Sequence, residues 1–199
     1  MLVKLKEALE GLFKAAAKGL YRVGLTANRA TVLGLILAFI SALTFFLGAR
    51  NLPLTVGASA LLLASGFFDA VDGALARISG GGTKLGSLLD SVLDRYGDGL
   101  VISAITLGYL DSVLLGLPMA FWGLTALFGS LLVSYVRAKG ESLGVQTAGV
   151  GLAERPERIL LIAVLGFLGL PELGVLLVAF ASNFTAAHRL IHVALRLRS

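Results

Sequence analysis

The segment Asp69-Ala70-Val71-Asp72-Gly73-Ala74-Leu75-Ala76-Arg77, followed after eight residues by Gly86-Ser87-Leu88-Leu89-Asp90-Ser91-Val92-Leu93-Asp94, sets four carboxylates inside two otherwise apolar runs. The runs extend over about 53–78 and 86–110, each long enough for a spanning helix of roughly 20 residues. Working outward, further apolar runs lie at about 31–49, 117–137, 157–170 and 172–193. The composition agrees: 57% of the 199 residues are apolar and 15% charged, with a mean hydropathy of +0.90. A soluble domain is about 45–50% apolar and about 25% charged. A soluble globule, a disordered chain and a collagen-like repeat are therefore excluded. The expected fold is all-α and integral to the membrane, with six transmembrane helices and no second soluble domain.

Residues 1–20 are expected to form an amphipathic interfacial helix ahead of a membrane domain at 21–199. Leu2, Leu5, Leu9, Leu12, Ala16 and Leu20 fall on one stripe, with Lys4, Lys6, Lys14 and Lys18 elsewhere. Lys14 and Lys18 interrupt any signal-peptide core, and lysines facing anionic headgroups suit a surface helix. Six spans put both termini on one side. Nearly all Lys and Arg fall in the N-terminal region, the loops after spans two and four, and the C-terminal tail. The opposite side carries Arg50, Asp111 and Glu172. By the positive-inside rule the first side is cytoplasmic.

A carboxylate at mid-membrane costs about 2.5–3.5 kcal/mol on insertion scales. Asp69, Asp72, Asp90, Asp94 and Asp98 thus need compensation. Asp69 and Asp72 are i, i+3, and Asp90 and Asp94 are i, i+4, so each pair shares a helix face. Counted from the helix ends, Asp72 and Asp69 lie roughly 9 and 14 Å deep, and Asp90 and Asp94 roughly 6 and 12 Å. Both pairs meet just inside the cytoplasmic surface. Hard oxygen donors with no thiolate or imidazole nearby favour Mg²⁺ or Mn²⁺. Four carboxylates suit two ions about 3.5–4 Å apart, an arrangement that stabilises in-line phosphoryl displacement. A proton relay, or ion pairs with Arg77 and Arg95, are the alternatives. Small residues at Gly73, Ala76, Gly86, Ser87 and Ser91 admit close approach of a ligand, or of another helix.

Written as Asp69-x2-Asp72-Gly73-x2-Ala76-Arg77-x8-Gly86-x3-Asp90-x3-Asp94, the segment resembles the motif of the CDP-alcohol phosphotransferases at all eight fixed positions. The order of spans is similar over nearly the whole chain. The resemblance implies a six-helix membrane enzyme, generally a homodimer, that moves a phosphatidyl-type group from a CDP-linked lipid to an alcohol and releases CMP. It implies Asp69, Asp72, Asp90 and Asp94 as metal ligands, Asp94 also as the general base, and two Mg²⁺ or Mn²⁺ ions. Asp69 and Asp72 would engage the nucleotide diphosphate through the metal. Gly73, Ala76, Arg77 and Gly86 would belong to the CDP-lipid surface. Asn28 and Thr31 resemble a recurrent segment at the start of the family's first span, with Ala27 in place of the usual Pro. A carboxylate base, charge neutralisation and positioning suffice for such chemistry.

A second cluster runs Ser134-Tyr135-Val136-Arg137-Ala138-Lys139-Gly140-Glu141 and Gly151-Leu152-Ala153-Glu154-Arg155-Pro156-Glu157-Arg158. It is either an interfacial charge belt or a phosphate pocket, since Arg offers a bidentate fork. These runs resemble the inositol-phosphate-using branch of the family, the phosphatidylinositol phosphate and archaetidylinositol phosphate synthases. There Arg137 and Arg155 would hold the phosphate of the incoming inositol phosphate, with Arg189 a third anchor and Ser134 a neighbour. Glycerol phosphate is the alternative acceptor. The donor would be CDP-diacylglycerol or CDP-archaeol, and no nucleic-acid partner is implied.

A cation- or proton-coupled transporter is the rival from another class, but internal repeats and broken helices are missing from the pattern. An inactive scaffold is disfavoured by the complete motif. His188-x3-His192 has ligand spacing without a carboxylate to complete a site, and reads as interfacial packing. Asp94-Arg95-Tyr96 matches a receptor tripeptide by coincidence. Gly80-Gly81-Gly82 lacks the Lys-Ser/Thr of a phosphate loop. Asp98, one turn beyond Asp94, either tunes Asp94 or is structural. The chain has no Cys, so disulfides and thiolate chemistry are excluded.

Overall fold

The computed structural model describes residues 2–147 and 149–198, and side chains from residue 11 onward. Among the described residues there are seven helices: α1 (Leu2–Arg22), α2 (Ala27–Leu47), α3 (Leu52–Ile78), α4 (Lys84–Gly108), α5 (Met119–Ser142), α6 (Arg155–Phe167) and α7 (Pro171–Arg196). The side chains at Leu2, Lys4, Leu5, Lys6 and Leu9, part of the expected amphipathic stripe, lie outside the described ones. Four helices, α2, α3, α5 and α7, are long and apolar enough to cross a membrane, and the chain is a multi-pass helical membrane protein. The third expected span, α4, carries five charged residues from Lys84 to Asp98. The fifth, α6, has 13 residues and rises only about 20 Å.

Boundaries follow local chemistry. Asn51 caps α3 by accepting from the Leu54 amide at 3.2 Å, and Thr83 caps α4 by accepting from the Gly86 amide at 2.9 Å, each satisfying a free first-turn N–H. Pro156 sits in the first turn of α6 and Pro171 begins α7, where a missing N–H costs nothing. The fourth span starts later than its apolar run suggests. Val113–Leu114 (β1) and Leu117–Pro118 (β2) form a short antiparallel ladder pairing Val113 with Pro118 and Leu114 with Leu117. Leu115 (φ 51°) and Gly116 (φ 77°) make its turn, both in the left-handed region that a primed hairpin turn requires. The Trp122 indole donates to the Leu114 carbonyl at 2.9 Å, fastening this hairpin to α5.

Small residues bring the helices together. Ala30, Gly34, Ala38 and Ala42 form a buried stripe on α2, and α2 packs on α3 and α4. The Ser65 hydroxyl donates to the Gly34 carbonyl and the Ser41 hydroxyl to the Ala58 carbonyl, both at 2.8 Å. Such close approach replaces the hydrophobic drive missing between helices in lipid. The other face of α2 exposes Ile36, Phe39 and Leu43, as a lipid-facing surface would.

The main apolar core joins Phe45, Leu62, Ile102, Ile105, Trp122 and Val175. It occupies the N-terminal part of α3 and the C-terminal part of α4, the ends away from the aspartates. A second cluster seats Ala17 of α1 against Val71, Ala74 and Leu75 of α3, directly behind Asp72. The polar end of the bundle is thus braced on one side by α1 and capped on the other by the start of α6.

Candidate active site

Asp69 and Asp72 sit near the end of α3, and Asp90 and Asp94 near the start of the antiparallel α4. Three of these carboxylates, Asp69, Asp72 and Asp90, offer oxygens that all lie within 4.8 Å of one another. Asp72 is buried, and the Thr31 hydroxyl donates to its Oδ2 at 2.6 Å. Three carboxylates at this spacing could hold a metal ion between them, and an all-oxygen donor set suits Mg²⁺ or Mn²⁺.

Asp94 is outside that trio but lines the same cavity as Asp69 and Asp90. Its Oδ1 lies 2.7 Å from Arg155 Nη1, which also pairs with Asp69 Oδ1. Arg155 Nε is 3.5 Å from Asp98 Oδ1, and Asp98 Oδ2 accepts from Arg158 Nη2. The first turn of α6 therefore threads its arginines along the aspartate face of α4. Of the two arginines of the ordinary ion-pair alternative, Arg95 pairs with Asp94 at 3.8 Å, and Arg77 is exposed.

Two polar cavities flank the cluster. One, of about 430 Å³, is lined by Asn28, Thr31, Asp72, Gly73, Ala76 and Gly86, among others. It gathers the expected CDP-lipid residues except Arg77 and Asp69. Arg77 stands beside it, with Nη1 3.8 Å from where Gly73 would carry a Cβ. Gly86 has a direct geometric reason: a Cβ there would lie 2.9 Å from Asn28 Oδ1 and 3.1 Å from Thr83 Oγ1. The other cavity, of about 440 Å³, is lined by Asp69, Asp94, Ser134, Arg137, Arg155 and Arg189, among others. Asp90 and Ser87 line both.

The four expected acceptor residues thus converge, though their side chains differ in freedom. Arg137 is exposed and pairs with Glu141 at 2.9 Å. Arg189 is 2% exposed and each of its nitrogens makes one hydrogen bond: Nε donates to the Val150 carbonyl at 2.8 Å, Nη1 to the Val133 carbonyl at 3.1 Å and Nη2 to Glu154 Oε1 at 2.6 Å, leaving an N–H on each of Nη1 and Nη2. The sequence pattern did not single out Glu154 as its partner, nor Arg158 as the partner of Asp98. The one available signal for Arg158 was its i, i+3 spacing from Arg155 on a common helix face.

A largely apolar groove of about 910 Å³ between α2, α4 and α5 opens beside this cavity and shares Ser91, Arg95, Ser134 and Ala138 with it. The site accordingly has a polar floor and an apolar flank.

The chain is 34% identical over 199 residues to the archaetidylinositol phosphate synthase of Pyrococcus horikoshii, covering 99% of this chain and 98% of that one. It is similar to the Mycobacterium tuberculosis phosphatidylinositol phosphate synthase crystallised with CDP-DAG bound, with a TM-score of 0.74 and 31% identity over 91% of this chain and 92% of that one. The same protein in complex with manganese and citrate matches with a TM-score of 0.74 and 32% identity, over 92% of this chain and 88% of that one. Residues 24–188 match the model of the CDP-alcohol phosphatidyltransferases. With that match spanning both aspartate pairs and every residue lining the two cavities except Arg189, the chain belongs to the CDP-alcohol phosphatidyltransferase family and is an enzyme of it.

Proposed function

We propose that the chain transfers a phosphatidyl or archaetidyl group from a CDP-linked lipid to a hydroxyl of inositol phosphate, releasing CMP. The observation that carries this reading is the pair of cavities meeting at Asp90, one gathering six of the eight donor candidates and the other all four acceptor candidates. The names of the relatives point to the same reaction class.

Asp69, Asp72 and Asp90 would hold the divalent ions, with Asp94 as a further ligand and the general base. When bound, those ions neutralise charge on the diphosphate and on departing CMP. Thr31 holds Asp72 in place through its 2.6 Å hydrogen bond. Gly73, Ala76 and Gly86 leave room for the nucleotide beside α3 and α4, with Asn28 and Arg77 at the rim. Arg137, Arg155, Arg189 and Ser134 fix the acceptor's phosphate, so that its hydroxyl faces Asp94. The hydroxyl oxygen then bonds to the lipid-bearing phosphorus, the bond to CMP breaks, and the proton passes to Asp94.

We read α2 to α7 as six spans, α1 as a helix along the surface, and residues 1–20 and 21–199 as the two parts of the chain. The site then faces the cytoplasm. The homodimer is supported by the family resemblance. A panel assay tests the function. Purified protein with CDP-lipid and Mg²⁺ should release CMP with inositol phosphate, and far less with glycerol phosphate, serine or free inositol. Turnover with glycerol phosphate and none with inositol phosphate would overturn the acceptor.

A further inference from the structure

The segment that delivers Arg155 into the acceptor cavity, Val150 to Glu154, has no helix or strand of its own. Side chains nevertheless tie it at four backbone atoms. Thr185 Oγ1 on α7 accepts from the amides of both Leu152 and Ala153 at 3.1 Å. Arg158 Nη1 donates to the Ala153 carbonyl at 2.8 Å, and Arg189 Nε holds the Val150 carbonyl. Thr185 and Ala153 are both 0% exposed.

A threonine inside a helix commonly donates to the carbonyl four residues back, as Thr44, Thr106 and Thr125 do here. Thr185 turns its oxygen toward a neighbouring segment. Its methyl fills the space a side chain at Gly151 would need, since a Cβ there would run into Thr185 Cγ2. Gly151 also has φ +109°, a backbone conformation that L side chains rarely adopt. The hydroxyl and the glycine form one interlocking seat, with Gly151 four residues before Arg155 opens α6.

We propose that Thr185 is a positioning residue for the acceptor phosphate, setting the backbone of 152–153 and through it the placement of Arg155. This rests on the reading of the arginine-lined cavity as the acceptor site. Thr185 lines neither polar cavity, so it acts through the segment it holds, and the donor side beyond Asp90 should be indifferent to it.

The test is steady-state kinetics with CDP-lipid and inositol phosphate varied separately, on Thr185→Val, Thr185→Ser and Gly151→Ala, alongside thermal melting. Val keeps the shape but leaves the buried Ala153 amide and the partly buried Leu152 amide without an acceptor, so the acceptor KM should rise about tenfold, with the CDP-lipid KM within about twofold of wild type. Ser restores the oxygen and should restore the acceptor KM. An unchanged acceptor KM in folded Thr185→Val, or a parallel rise in the CDP-lipid KM, overturns the proposal. If Thr185→Val does not fold, Gly151→Ala decides: a raised acceptor KM alone supports the seat, and an unchanged one refutes it. Failure of the wild type to use inositol phosphate is a distinct result, which refutes the acceptor reading and this inference with it.

Discussion

Asp94 and Asp98 lie one turn apart on α4, and their surroundings assign them different consequences. Asp94→Asn removes the proposed base but leaves Arg155 beside Asp69 and Asp98. Turnover should fall by about 10²–10⁴-fold, the range for losing a positioned acid–base group, with the melting temperature close to wild type. Asp98 is the one carboxylate paired with Arg158 among the described residues, and that arginine side chain is 5% exposed. Asp98→Asn leaves a buried cation unpaired, which costs about 3–5 kcal/mol, so its melting temperature should drop clearly. Equal melting of the two variants would contradict this division. The clustering of Asp69, Asp72 and Asp90 was legible from helical spacing because helical periodicity is local. The Asp98–Arg158 pair spans 60 residues and depends on α6 packing against the bundle, which no local pattern encodes.

At the scale of elements, α4 and α6 show why hydropathy alone reads this chain incompletely. The apolar runs located the helices α2 to α7, of which four are long and apolar enough to cross a membrane; α4 is diluted by its charges and α6 is only 13 residues. Their aspartates and arginines compensate one another only after packing. The hairpin at 113–118 was hidden because Leu115-Gly116 lacks the Asn-Gly or Asp-Gly of a usual primed turn. Gly86 yields an element-scale prediction. Gly86→Ala places a Cβ against Asn28 and Thr83, and should raise the CDP-lipid KM several-fold without raising that of the acceptor. Separate titration of the two substrates checks this. On the opposite side, Arg50 donates to Asp111 at 2.6 Å, and that hydrogen bond holds the exposed Asp111 carboxyl below its ordinary range. Its stabilisation is present above the ordinary aspartate pKa and fades as pH falls through the lowered value. Exposure and screening keep it small, so Asp111→Asn should leave turnover and melting near wild type.

For the molecule as a whole, the core at one end and the charged cluster at the other fit a bundle whose chemistry happens where lipid meets water. The lack of cysteine makes topology directly measurable. Ser79→Cys should label with a membrane-impermeant thiol reagent only from the cytoplasmic side, and Ser112→Cys only from the opposite side. Labelling of both from one side would contradict the six-span reading. The central claim is that carboxylates from α3 and α4 jointly hold divalent ions at the site of CMP release. Paramagnetic titration of Mn²⁺ on the wild type and on an Asp72→Asn, Asp90→Asn double variant, in one detergent and with CDP-lipid present, tests it most directly. Saturable binding in the wild type that disappears in the folded variant is the expected result, and equal Mn²⁺ binding by both proteins would contradict it.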